Sequence, residues 1–129
     1  MKEKNNEATI NRPGGSRSID APVLLIDLPF YINQVKTEIA WQKNDRNSIT
    51  VFKTDKIRMV LVAMHKGAEM HTTRPDNILT LQVIDGMMRL STNQKTIEAS
   101  KEQILTLHEH IAYSLQAVEE SIFLLTIAE

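Results

Sequence analysis

The chain has 129 residues, a net charge of −1 and no cysteine. That length suits a single domain with a sizeable apolar core. The near-neutral charge supplies no basic face for nucleic acid, and the missing cysteine excludes disulfides, thiol catalysis and zinc–thiolate sites together.

In chain order, residues 1–20 read as a loose, flexible arm, polar and carrying the turn chemistry of Arg12-Pro13-Gly14-Gly15-Ser16. Val23-Leu24-Leu25-Ile26 reads as a short strand, and Asp27 to Pro29 as a turn. Tyr31 to Trp41 has partial helical spacing in Ile32, Val35, Ile39 and Trp41, so a brief helix or an irregular wrap is expected. The polar start, Met1 to Glu7, is not followed by an apolar stretch of signal-peptide length. The longest apolar runs, Pro22 to Ile26 and Met59 to Met64, are too short to span a bilayer. A cytoplasmic protein is expected, with neither membrane nor nucleic acid as partner.

From Asn47 onward the chain is a series of short β-like runs: Ser48 to Lys53, Ile57 to His65, Ile78 to Ile84, Met87 to Ser91, Thr96 to Ala99, Ile104 to Leu107, Ile111 to Ala117 and Ser121 to Ile127. Short polar segments such as Thr54-Asp55, Pro75-Asp76-Asn77, Thr92-Asn93 and Glu119-Glu120 separate them. Strands at this spacing point to an all-β sandwich or barrel. Asp85-Gly86 between two apolar runs is a hairpin signal. Met59 to Met64 and Ile122 to Ile127 are apolar on both faces, so they need a partner outside the barrel as well as a core inside. That favours a homodimer, as does a free strand at Val23 to Ile26 that would cross to a neighbour.

The spacing of glycines and apolar positions from about Trp41 to Glu129 resembles the small single-domain cupins. In that family a first motif runs glycine, five residues, His-x-His, three or four residues, glutamate, six residues and glycine. A second runs glycine, five residues, Pro-x-Gly, two residues, histidine, three residues and asparagine. Gly67 and Gly86 fit the two glycines of the first frame without a gap, and its ligand positions fall on Thr73, Pro75 and Leu79. The second frame puts Glu102 and His110 at its glycines, His108 at its proline, Tyr113 at its metal histidine and Ala117 at its asparagine. The resemblance implies an all-β double-stranded β-helix, the jelly-roll barrel, with a short N-terminal strand and helix extension. Residues 21–129 would form one cupin domain with its core at 47–129. The four positions that hold the family's divalent metal carry other residues. Proline and leucine have no ligand atom, and a neutral threonine hydroxyl is a poor one.

Strand alternation then predicts the barrel interior. If 79 and 113 face inward, the lining is Leu79, Leu81, Val83, Ile111, Tyr113 and Leu115, with Phe123 and Leu125. Either the former metal cavity is filled as core, or it is a small apolar pocket with polar groups at its rim. The second reading assigns a ligand pocket to His71, Thr73, Leu79, Leu81, Tyr113 and Leu115. A displaced metal site is the alternative: His108 and His110 share a face on an extended segment, and His71 would complete a set suited to one divalent transition metal. Trp41 would either cap the pocket or anchor packing. No Gly-x-Ser-x-Gly elbow or phosphate-binding glycine loop is present. The expected function is a non-catalytic cupin-like binding or regulatory module without a cofactor or the standard metal centre, holding a small-molecule ligand. The alternative is a metal-dependent cupin enzyme, of isomerase or dioxygenase type, that uses the histidines.

Overall fold

The computed structural model describes residues 4–7, 12, 15, 17–72 and 75–128. Among them are eleven strands: β1 (Lys4–Asn6), β2 (Arg17–Asp20), β3 (Arg46–Lys53), β4 (Ile57–Met64), β5 (Glu69–Thr72), β6 (Ile78–Asp85), β7 (Met87–Ser91), β8 (Thr96–Ser100), β9 (Ile104–Leu107), β10 (Tyr113–Ala117) and β11 (Ser121–Ala128). Two short helices, α1 (Leu28–Thr37) and α2 (Ile39–Lys43), precede β3. None of the described helices is long and apolar enough to cross a membrane.

The strands form a five-stranded sheet in the order β3-β4-β11-β6-β9 and a four-stranded sheet in the order β5-β10-β7-β8, and all pairings are antiparallel. This is the expected all-β jelly-roll barrel. Alternation works strand by strand. On β4 and β11, Val62, Met64, Phe123 and Leu125 enter the core between the sheets, while Leu61, Ala63 and Ile122 enter a second core on the outer side.

That second core answers the two-faced strands within the chain. Leu28, Tyr31, Ile32 and Val35 recur at the i, i+3, i+4, i+7 spacing of a helix and pack on the outer face of the five-stranded sheet with Trp41, Ile49 and Val51. Burial of both faces therefore does not require another subunit. The helical run breaks at Glu38, whose backbone is extended. Asn47 fastens the break to β3: its Nδ2 donates to the Val35 carbonyl and to Glu38 Oε1, each at 2.9 Å.

Three expectations are corrected here. Val23 to Ile26 is not a strand, and Val23 and Leu25 are 91% and 92% exposed. Its residues alternate as a strand's do, but no sheet edge meets them. The arm is not wholly irregular, since β1 and β2 pair within it. Asp85-Gly86 does not close a hairpin: β6 and β7 lie in different sheets, and the turn carries the chain from one to the other. Gly86 has φ 90°, and an added Cβ would fall on the Glu120 carbonyl and Ser121 Oγ. Only glycine fits that close crossing. Strand β5 was not anticipated, because its Glu69-Met70-His71-Thr72 lacks β-branched apolar residues and its short run pairs with β10 only in the folded barrel.

The backbone also supports the frame of the two motifs. Gly67, Gly86, Glu102 and His110 occupy the four motif glycine positions, and their φ angles are 88°, 90°, 73° and 66°. Glu102 and His110 are the non-glycine residues with positive φ among the described residues. The left-handed turns persist at those positions even where the glycine does not.

Candidate functional site: a groove beside a filled barrel

The interior is packed. Leu79, Leu81, Val83, Tyr113, Leu115, Phe123 and Leu125 all belong to the core cluster, as the alternation requires. Leu81 and Leu115 have 0% exposure, so no water-sized space touches them. Of the six residues expected to form the pocket, Leu79, Leu81, Tyr113 and Leu115 are thus core. His71 points away from it on the exposed face of β5, and Thr73 lies outside the described residues. Large aliphatic chains from both sheets pack together in one core cluster here. Ile111 is a further correction. The chain turns at His108 to His110 before β10 begins, so the parity that places Tyr113 inside does not extend back to Ile111, which is exposed. The Tyr113 hydroxyl makes no hydrogen bond with a described residue.

The residues present do not fit the metal that the barrel's resemblance implies. At the family's ligand positions Leu79 is buried hydrocarbon and Pro75 has no donor side chain, which leaves only the Tyr113 phenol among described residues. The histidine alternative is not assembled either. His71, His108 and His110 have side chains 70%, 83% and 61% exposed, and each lies near a different carboxylate: Glu69, Glu109 and Asp76. Among the described residues no three His, Asp or Glu side chains form a group able to hold an ion. The His-x-His parity fails because His110 adopts a left-handed conformation, so the segment is not extended.

Trp41 is a packing anchor. It sits on the outer side of the five-stranded sheet, stacked on His65 with ring centroids 3.5 Å apart, and His65 Nε2 lies 2.8 Å from the Trp41 carbonyl. That is the opposite side from the barrel interior.

The open feature lies where the two sheets diverge. Strands β8 and β9 are the terminal strands of their sheets and are joined by the turn Ser100 to Gln103. Away from that turn they separate, and a groove of about 680 Å³ opens between them. Leu90, Leu105 and Leu107, which belong to the core, form its floor, and Ile97, Ile104 and Ile111 its walls. The β7–β8 turn supplies a polar rim in Thr92 to Lys95, and Thr106 and His110 face it. Hydrogen bonds fix both sides. Thr92 N–H donates to the Lys95 carbonyl at 2.8 Å, and His110 N–H donates to the Pro75 carbonyl at 2.6 Å. Sequence reasoning named His110 and Ile111 for other roles and missed Lys95, Ile97 and Ile104. The one signal for this region was a non-glycine residue, His110, at a motif glycine.

No family model matches the sequence, and no curated protein does. Solved structures do. A cupin superfamily protein from Desulfitobacterium hafniense is 13% identical over 66% of this chain and 78% of its own, with a TM-score of 0.63. KdgF from a Halomonas species is 15% identical over 67% and 82%, with a TM-score of 0.61. A cupin domain of an XRE family transcriptional regulator from Enterobacter cloacae is 14% identical over 67% of this chain and 98% of its own, with a TM-score of 0.60. Sheet order, left-handed turns at the four motif positions and these likenesses agree: the chain folds as a small cupin barrel.

Proposed function

We propose that the protein is a non-catalytic binding or regulatory module that holds a small ligand in the β8–β9 groove. One observation carries the reading: hydrocarbon fills the barrel where a cupin metal would sit, while a groove with an apolar floor and polar rim stays open at the same domain's edge. Its size lies within the range of ligand sites, about 300–1,000 Å³. A cupin domain within a transcriptional regulator is among the structural neighbours, which supports a regulatory use of such a barrel. The exposed Val23 and Leu25 support a homodimer, since a contiguous aliphatic pair in water favours burial against a second copy. The metal-enzyme alternative gains nothing from the dispersed histidines.

Two measurements test the proposal. Fragment screening by isoleucine-methyl NMR is expected to move the methyls of Ile97, Ile104 and Ile111. Elemental mass spectrometry after incubation with zinc, iron, manganese and nickel is expected to find no stoichiometric metal. A tightly held metal, or fragments that bind only elsewhere, would sink it.

A further inference from the structure

We infer that the groove selects small amphiphilic carboxylates, with the aliphatic body on the isoleucine walls and the acid group between Lys95 and His110. The inference rests on the groove being the ligand site and adds the chemistry of what fills it.

The walls select the body. Ile97, Ile104 and Ile111 are 38%, 59% and 37% exposed, three branched side chains left in water around one cleft. A sugar or other uniformly polar ligand would leave that surface unsatisfied, whereas an alkyl or cycloalkyl body covers it.

The rim selects the head. Among the described residues no Asp or Glu lines the groove, although 16 of the 129 residues are acidic. Lys95 is the one Lys or Arg among the described residues that line the groove, and it makes no ion pair with a described residue. The lysine rides on a turn closed by Thr92, whose Oγ1 accepts the Lys95 N–H at 3.2 Å. His110 lines the same groove. Its Nδ1 lies 3.6 Å from Asp76 Oδ1, which leaves Nε2 without a partner among described residues. Thr92, Asn93, Gln94 and Thr106 add neutral hydrogen-bonding groups. A single cation with neutral donors matches a monoanion. A phosphate dianion is recognised by arginine forks, and no arginine among the described residues lines this groove.

The test uses the full chain labelled at isoleucine methyls and titrated separately with octanoate and 1-octanol. Octanoate is expected to shift the Ile97, Ile104 and Ile111 methyls and to bind about fivefold more tightly than octanol, the size of a part-exposed ion pair. Lys95→Ala should remove that preference while octanol still binds. Ile104→Asn, at a position 59% exposed, should weaken both probes while the unfolding midpoint stays near that of the wild type. If octanol binds as well as octanoate, or if Lys95→Ala leaves the preference unchanged, the carboxylate inference is wrong while the groove stands. If neither probe moves the groove methyls, or Ile104→Asn weakens neither, the groove itself is not the site and both readings fail.

Discussion

Replacing Glu102 with glycine is expected to stabilise this protein. Glu102 is third in the turn Ser100 to Gln103, which is closed by Gln103 N–H donating to the Ser100 carbonyl at 3.0 Å, and its φ is 73°. A left-handed backbone at the third position is where a type II turn calls for glycine. The side chain is exposed and has no hydrogen bond or ion pair with a described residue, so its removal breaks nothing. The backbone bond from Glu102 N–H to the Val83 carbonyl, 2.8 Å, is kept. Relief of the left-handed penalty is about 1–2 kcal/mol. The freer unfolded chain offsets about 0.4–1 kcal/mol of it. The net gain is about 0.5–1 kcal/mol, and a urea midpoint rises by about 0.3–0.5 M for a slope near 2 kcal/mol/M. Glu102→Ala separates the causes, because it removes the same side chain beyond Cβ but keeps the strain. It should stay within about 0.5 kcal/mol of wild type. A glycine variant no more stable than the alanine variant would refute the reasoning. Gly86→Ala should do the opposite and cost about 2 kcal/mol or more, since it adds both the left-handed strain and the clash with Glu120.

Glu38 should give the stability an acid limb. Burial opposes its ionisation, but hydrogen bonds from Arg12 and Asn47 and the Arg12 charge outweigh it and hold the carboxyl below its ordinary value. Because the folded pKa is the lower one, this contribution is complete above the unfolded value of about 4.3 and is lost as pH falls through the folded pKa. Unfolding midpoints measured across that range should fall less steeply in Glu38→Gln, and an unchanged slope would contradict the assignment. Tyr113→His restores one cupin ligand beside Leu79 and Pro75, so elemental analysis should still find no stoichiometric metal; tight binding by this variant would show that the first motif is misplaced. Val23→Glu with Leu25→Glu should convert a dimer to a monomer by light scattering, and a wild-type protein that is already monomeric would remove the case for pairing through this segment.

Local pattern settled much of the barrel. Met87 to Ser91 and Ile104 to Leu107 are strands with the bounds their alternation and flanking turns indicate, and the inward set Leu79, Leu81, Val83, Tyr113, Leu115, Phe123 and Leu125 follows from period two once the motif frame turns positions 79 and 113 inward, although the same rule misplaced Ile111. The motif frame placed Glu102 and His110 at glycine positions, but that both take left-handed backbone, which undoes the extended His108–His110 reading, came from the structure. Three things depended on contacts between distant residues. Asp85-Gly86 has the local chemistry of a hairpin, but β11 and β10 are better partners for β6 and β7 than these strands are for each other, so the turn crosses between sheets. The two-faced strands carry the pattern of an interface, but residues of α1 and α2 cover their outer face. The groove exists because two terminal strands from different sheets diverge after one shared turn, which brings Lys95 and Ile97 near Ile104 and His110. Alternation assigns a side chain to a face, but it carries no information about which sheet edges separate, and that separation is what leaves room for a ligand.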